Sequence, residues 1–147
     1  MLDQSFIGYE LPSFTADVEK GRLRFFAKAI GETNPIYTDE DAAVKAGYRT
    51  LPAPPTFAMV LDMDTPELMP LLGLLKMDIG RILHGSQEFE YFQPIYAGDQ
   101  ITVTSKVVDI FDKKGGALDF VVTENSYTNQ DGDLVAKSTS TLVHRNG

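Results

Sequence analysis

Leu51-Pro52-Ala53-Pro54-Pro55-Thr56-Phe57-Ala58-Met59-Val60-Leu61 is the stretch that decides the fold. Its prolines make a rigid lead-in, because proline suits the first turn of a helix and little else inside one. Thr56 to Leu61 is almost wholly apolar. A helix that is hydrophobic around most of its circumference belongs in a core. A second apolar stretch, Leu68 to Leu75, lies beyond Pro66. Pro66, Pro70 and Gly73 predict a division of this region into a buried helix and a broken continuation.

On the N-terminal side the period is helical. From Val18 to Ile30, Leu23, Phe26 and Ile30 form one stripe, broadened by Phe25 and Ala29. Thr15 or Asp17 is a candidate cap at its start and Gly31 at its end. A short second helix is expected over Glu40 to Lys45, closing at Gly47. On the C-terminal side, from Ile82 onward, the period changes to two. Phe89 and Tyr91 alternate with glutamates, Ile101 and Val103 with threonines, and Leu118, Phe120 and Val122 recur at every second position. Lys113 to Gly116 and Asn129 to Gly132 read as hairpin turns, since Asn, Asp and Gly tolerate positive φ cheaply. Pro94 to Asp99 reads as a longer loop between the first two strands.

An apolar helix followed by a run of antiparallel strands predicts an α+β fold in which a curved antiparallel sheet wraps around the central helix. Such a sheet, open at its edge, needs covering or pairing. The 147 residues suit a single domain over 1–147 with one core.

Composition narrows the function. A net charge of −8 argues against nucleic-acid binding, because phosphate neutralisation needs a clustered basic surface. Lys20, Arg22, Arg24 and Lys28 are the nearest approach to a basic patch for an anionic carrier, and a solvated helix face explains them equally well. With no cysteines and two histidines, disulfides and thiolate zinc sites are excluded, and no metal site is expected. His84 and His144 read first as structural side chains. No apolar run reaches the roughly 20 residues of a membrane helix, and Met1 to Gln4 lacks the character of a signal peptide. The expectation is a cytoplasmic protein.

Three segments carry chemistry. Gly31-Glu32-Thr33-Asn34-Pro35-Ile36-Tyr37 runs into Thr38-Asp39. Ala53-Pro54-Pro55-Thr56-Phe57 opens the apolar helix. Leu83-His84-Gly85-Ser86-Gln87-Glu88-Phe89-Glu90-Tyr91 precedes Pro94-Ile95 and Ala97-Gly98-Asp99. Together, in this order, they resemble the MaoC-like dehydratase (N-terminal type) hot dog family, whose signature reads G-D-x-N-P-[IL]-H-x-D, with A-P-G-M-L and L-H-G-x-Q-x-F-x-Y further on. The resemblance covers nearly the whole chain and implies the hot dog fold and side-by-side pairing into a dimer.

In that family the Asp and the His five residues later add water to, or remove it from, an acyl thioester. Such chemistry needs a base to activate water, an acid to protonate carbon, and donors aimed at the thioester oxygen. Here the dyad positions hold Glu32 and Tyr37. Glu32 keeps the carboxylate one methylene further out, and a displacement of about 1 Å can cost on the order of 100-fold in rate. Tyr37, with an ordinary pKa near 10, donates a hydrogen bond but is a poor base at pH 7. The resemblance also places Pro55 where catalytic relatives offer a glycine N–H to the oxyanion; proline has none. Losing one such donor costs about 2.7–4 kcal/mol.

The resemblance therefore implies one subunit of an (R)-specific 3-hydroxyacyl-thioester dehydratase/enoyl hydratase. It resembles the non-catalytic half of heterodimeric (3R)-hydroxyacyl-ACP dehydratases, which shapes the acyl channel while a partner supplies the acid–base pair. Asn34, Pro55, Thr56, Phe57, Met59 and Gly85 are the implied substrate-side residues, with His84 a further ionisable group beside the channel. No cofactor is implied; the partners are an acyl thioester, on coenzyme A or an acyl carrier protein, and a second hot dog subunit. Two alternatives stand beside this reading: a homodimeric hydratase or thioesterase using Glu32, and a non-catalytic acyl-CoA binding module. The local reading of the loop needs none of this. Asn34-Pro35 makes a turn, Glu32 caps or hydrates a helix end, Tyr37 packs half-buried, and Asp39 caps the next helix.

Overall fold

Proline and glycine punctuation cuts the chain where the local reading placed it, and five strands assemble around the fragments. The computed structural model describes residues 1–147. The strands are β1 (Glu10–Asp17), β2 (Ile82–Tyr91), β3 (Gln100–Lys113), β4 (Leu118–Thr128) and β5 (Leu134–Arg145). They form one antiparallel sheet in the order β1-β3-β4-β5-β2. The helices are α1 (Lys20–Ala29), α2 (Glu40–Lys45), α3 (Ala58–Leu61) and α4 (Pro70–Leu75). Short 3₁₀ turns at Pro55–Phe57 and Asp62–Asp64 extend α3 at both ends. This is the α+β hot dog arrangement, with the central helical segment against one face of a curved sheet.

The central segment anchors the main core. Phe57, Ala58 and Leu61 are buried and pack with Leu23 of α1, Leu51, Ile101, Val103, Tyr127 and Val135. The spacing explains the choice, since residues 57, 58 and 61 share one helical face. Met59 and Met63 lie on the opposite face and are 44% and 62% exposed. The helix is therefore apolar all round, as its sequence reads, but only one side of it is covered within this chain. The helix ends at Asp64, and Thr65 turns to extended backbone ahead of Pro66. Met69 and Lys76, which flank α4, both adopt left-handed backbone, with φ of 51° and 53°, a conformation that side-chain-bearing residues adopt rarely. α4 then packs into a second, smaller cluster with Met77, Val107, Ile110 and Val121.

Three expectations need correction. Thr15 and Asp17 do not cap α1; they belong to β1, where they pair with Thr102 and Gln100. Glu19 occupies the N-cap and makes no side-chain bond there. Pro12 and the polar residues around it disguise β1, whose proline is tolerated because the strand lies at the sheet edge. In β4 the buried face is the opposite of the one the apolar alternation suggests. Asp119, Val121, Thr123, Asn125 and Tyr127 point inward, while Leu118, Phe120 and Val122 are only partly covered on the outer face. There Phe120 stacks on Phe111 at 4.9 Å, with the Lys113 ammonium above both rings. Finally, three of the four basic side chains of α1 are already engaged. Lys20 pairs with Glu40 at 2.8 Å and Arg22 with Asp64 at 2.7 Å, and Arg24 donates to the Thr38 carbonyl.

Candidate active site

The loop between α1 and α2 is built by side chains that satisfy its own backbone. Gly31 closes α1 with φ of 72°, and the Glu32 N–H donates back to the Ala27 carbonyl at 2.8 Å, the reverse hydrogen bond of a left-handed helix end. The Asn34 N–H donates to Glu32 Oε1 at 2.9 Å, and the Ile36 N–H donates to Asn34 Oδ1 at 3.2 Å. Asp39 then accepts from the N–H groups of Asp41 and Ala42 and caps α2. Each of these bonds serves a short polar side chain and a nearby donor, which is why the local reading of Asn34 and Asp39 needs no tertiary structure.

Tertiary structure brings Tyr37 and Pro55 together. With Tyr48, Pro52, Pro54, Tyr91 and Phe92, they line a cavity of about 300 Å³. The Tyr91 hydroxyl donates to the Pro55 carbonyl at 2.8 Å, and Pro55 itself has no N–H to offer. Burial raises the Tyr37 pKa above its ordinary value, and the negative charge of Glu32 raises it further. A phenol in that setting stays protonated at neutral pH. It can donate a hydrogen bond to a ligand oxygen but cannot take a proton from water.

The other sequence-derived residues are spread more widely. Thr56 is exposed beside Pro55, and Met59 is exposed on the outer face of α3. Phe57, expected to line a channel, has no accessible surface. Its ring packs edge-on against Phe26 at 5.5 Å, under the Arg22 guanidinium. The reason is the helical phase, which puts residue 57 on the core side of the segment. His84 lies exposed on edge strand β2. Its Nε2 is 3.1 Å from both Gln87 Oε1 and Ser140 Oγ, and it borders neither the Tyr37 cavity nor the one described next. Gly85 sits at the irregularity in the β2–β5 pairing. A Cβ there would meet Val143 Cγ2 at 3.0 Å and the Thr141 carbonyl at 3.2 Å, so glycine lets the strands approach. His144 accepts the Asp78 N–H at Nε2, which leaves its Nδ1–H to donate to Asn146. No three His, Asp or Glu side chains converge as metal ligands.

One site residue escaped the sequence reading. Asp62 follows the apolar run and shares the inward face with Ala58, four residues earlier. It borders a cavity of about 230 Å³ between α4, β1 and the inner face of the sheet. The Tyr127 hydroxyl donates to Asp62 Oδ1 at 2.8 Å, with Oδ2 at 3.1 Å, and lies 2.9 Å from Ser138 Oγ. Because the tyrosine proton is committed to the carboxylate, Ser138 is the donor in the second bond. Burial drives the Asp62 pKa up to about 6 despite the hydrogen bonds from Tyr127 and Asn125 that oppose it. The signal available in sequence was an aspartate in helical phase with a buried apolar face.

The family described as "FAS1-like, dehydratase domain region" matches residues 5–138. The chain belongs to that family. It is 41% identical over 148 residues to a UPF0336 protein of Saccharopolyspora erythraea, covering 98% of this chain and 92% of the relative. It is 39% identical over 151 residues to a UPF0336 protein of a Parafrankia strain, covering 98% and 95%. Among solved structures it resembles a chain of the C-terminally truncated HadBC (3R-hydroxyacyl-ACP dehydratase) complex from Mycobacterium tuberculosis. That match has 31% identity and a TM-score of 0.78 and covers 94% of this chain and 96% of that one. The ChsH1–ChsH2 complex from the same organism, at 22% identity, 95% and 86% coverage and a TM-score of 0.77, shares the fold. The MaoC-like dehydratase reading of the three segments thus agrees with what the family and the neighbouring structures are. No helix is long and apolar enough to cross a membrane.

Proposed function

We propose that this chain is the substrate-shaping subunit of an (R)-specific 3-hydroxyacyl-thioester dehydratase/enoyl hydratase, completed by a catalytic hot dog partner. The observation that carries the reading is the cavity shared by Tyr37 and Pro55. Where a hydratase needs a proton acceptor, this site has a phenol held in its protonated form. Where it needs an oxyanion donor, it has a proline. Glu32, the remaining carboxylate, accepts the Asn34 N–H and braces the loop. Asn34 shapes that loop, while Pro55, with Thr56 exposed beside it, forms the wall toward the acyl thioester; Met59 faces outward and Gly85 serves the packing of β2 on β5.

Two features give a partner something to hold. The outer edge of β2 is unpaired by any strand of this chain, and Met59 and Met63 leave apolar surface open on the central helix. Pairing there would cover a liability that an exposed edge otherwise presents. The resemblance to a chain of the HadBC complex supports the same assignment. The partner, carrying an intact Asp and His, would supply base and acid; this chain would hold the acyl group and exclude water.

Co-expression with a hot dog subunit that retains both proton carriers tests the proposal. The mixed complex is expected to hydrate trans-2-enoyl thioesters, crotonyl or longer, while this chain alone is at least 100-fold slower. Vigorous turnover by the isolated chain that disappears in Glu32→Gln would replace the proposal with a homodimeric enzyme. Retention of an acyl thioester with no turnover in either preparation would leave a binding module.

A further inference from the structure

We propose that the Asp62 cavity is a binding site for an aliphatic alcohol, an alkyl chain of medium length whose hydroxyl is read by Asp62 and its polar neighbours. The site shares no lining residue with the Tyr37 cavity, so it goes beyond the dehydratase reading and needs no partner subunit to exist.

The break in the central helix creates the space. α3 belongs to the main core and α4 to the smaller cluster, and Thr65 and Met69 border the opening between them. Leu71, Leu72, Ile79 and Phe14 supply apolar walls. The volume of about 230 Å³ exceeds the roughly 150 Å³ that takes a six-carbon ring, which scales to about nine heavy atoms, eight carbons and a hydroxyl oxygen.

The sheet side is different in kind. Asp62, Ser105, Thr123 and Asn125 all border the cavity, and β4 has turned Thr123 and Asn125 inward at positions where a sheet normally buries apolar side chains. Buried polar groups placed at such a cost ask for a use. A carboxylate has about four acceptor positions. Here the Tyr127 hydroxyl addresses them, and no lysine, arginine or histidine lines the cavity. Acceptor capacity therefore remains toward the open space. Beside it stand donors, the hydroxyls of Thr123 and Ser105. A ligand hydroxyl matches both, donating to Asp62 and accepting from a neighbour. An ammonium can only donate, an ether can only accept, and a carboxylate would be repelled. The Ser138→Tyr127→Asp62 chain of hydrogen bonds fixes the orientation of the carboxylate before a ligand arrives, which lowers the ordering that binding requires.

Titration of the full isolated chain with three probes tests the site: 1-octanol, heptyl methyl ether of equal heavy-atom count, and octylammonium. Backbone amide NMR shifts provide the readout. 1-Octanol is expected to move resonances of Leu72, Thr123 and Asn125 and to bind about tenfold or more tighter than the ether, the effect of a hydrogen bond to a charged acceptor. Asp62→Asn should reduce that preference to less than threefold, because the amide turns its oxygen to Tyr127 and its NH2 to the cavity. Thr123→Val, which leaves the carboxylate and its tyrosine in place, should weaken 1-octanol severalfold and serves if Asp62→Asn folds poorly. Equal binding of alcohol and ether, shifts scattered away from the cavity, or tighter binding of octylammonium would overturn the assignment. Because no turnover is measured, loss of the dehydratase reading would leave this test intact.

Discussion

The loop carrying Glu32 and Tyr37 and the cavity beside Asp62 place ionisable groups in opposite ways. The loop is local: its bonds span two or three residues, its side chains are exposed or half-buried, and its conformation is written in adjacent residues. The Asp62 cavity is assembled from β1, β3, β4, β5 and the broken helix, and its key bond joins residues 65 apart. The first keeps the form of a proton-transfer site with groups unsuited to proton transfer. The second has a carboxyl driven toward neutrality, in a region that no motif announces. Family resemblance is thus strongest where the chemistry is weakest, and the more perturbed group lies elsewhere.

The largest expected effect tests whether both regions hang on one frame. Phe57→Ala would empty a fully buried site between α1 and the central segment and should cost about 3–5 kcal/mol in urea unfolding. A loss under 1 kcal/mol would mean that the segment does not anchor the core.

Next comes the pH dependence of stability. The folded-state pKa of Asp62, about 6, lies above its ordinary value of 3.8. The folded protein therefore holds this proton more tightly than the unfolded chain between those values. This contribution favours the fold increasingly as pH falls from about 7 to 4, by up to about 3 kcal/mol. Asp62→Asn should remove that component from a series of urea titrations; an unchanged slope would assign it to other groups.

Restoring the loop is the third test. Glu32→Asp, Tyr37→His and Pro55→Gly together return carboxylate, imidazole and N–H. Hydration by the isolated chain should then rise about 100-fold over the parent, measured as loss of enoyl absorbance. No gain would show that the loop's surroundings, and not its proton carriers, prevent catalysis.

Smaller effects separate scaffold from chemistry within the loop. Asp39→Ala removes the cap of α2 and should cost about 1 kcal/mol by thermal unfolding. Tyr37→Phe in the mixed complex should change turnover less than threefold, since a protonated phenol there contributes at most one hydrogen bond. A hundredfold loss would restore Tyr37 to the catalytic machinery.

Much of the framework is legible in the residue order alone. The bounds of α2, the Asn34 turn, both hairpin turns and the division of the helix at its prolines follow from forces acting within a few residues. The strand β1 is not legible, because Pro12 and a polar composition obscure a two-residue period that only pairing with β3 fulfils. Nor is the facing of β4. Leu118, Phe120 and Val122 look like a core stripe, but register with β3 and β5 turns Thr123, Asn125 and Tyr127 inward instead. Register is a property of the whole sheet, and a one-residue change in facing exchanges every side chain between its sides.

By itself the sequence determined the helices and the four strands from Ile82 onward, the loop braced by Asn34 and Asp39, the missing N–H at Pro55 and the family, since each depends on residue type and short spacing. Tertiary structure alone decided that Phe57 is packing, that Lys20 and Arg22 are already paired, and that Asp62 meets Tyr127 in a cavity. Burial raises a pKa and consumes a charge only when distant segments close around it, and no local pattern encodes which segments those will be.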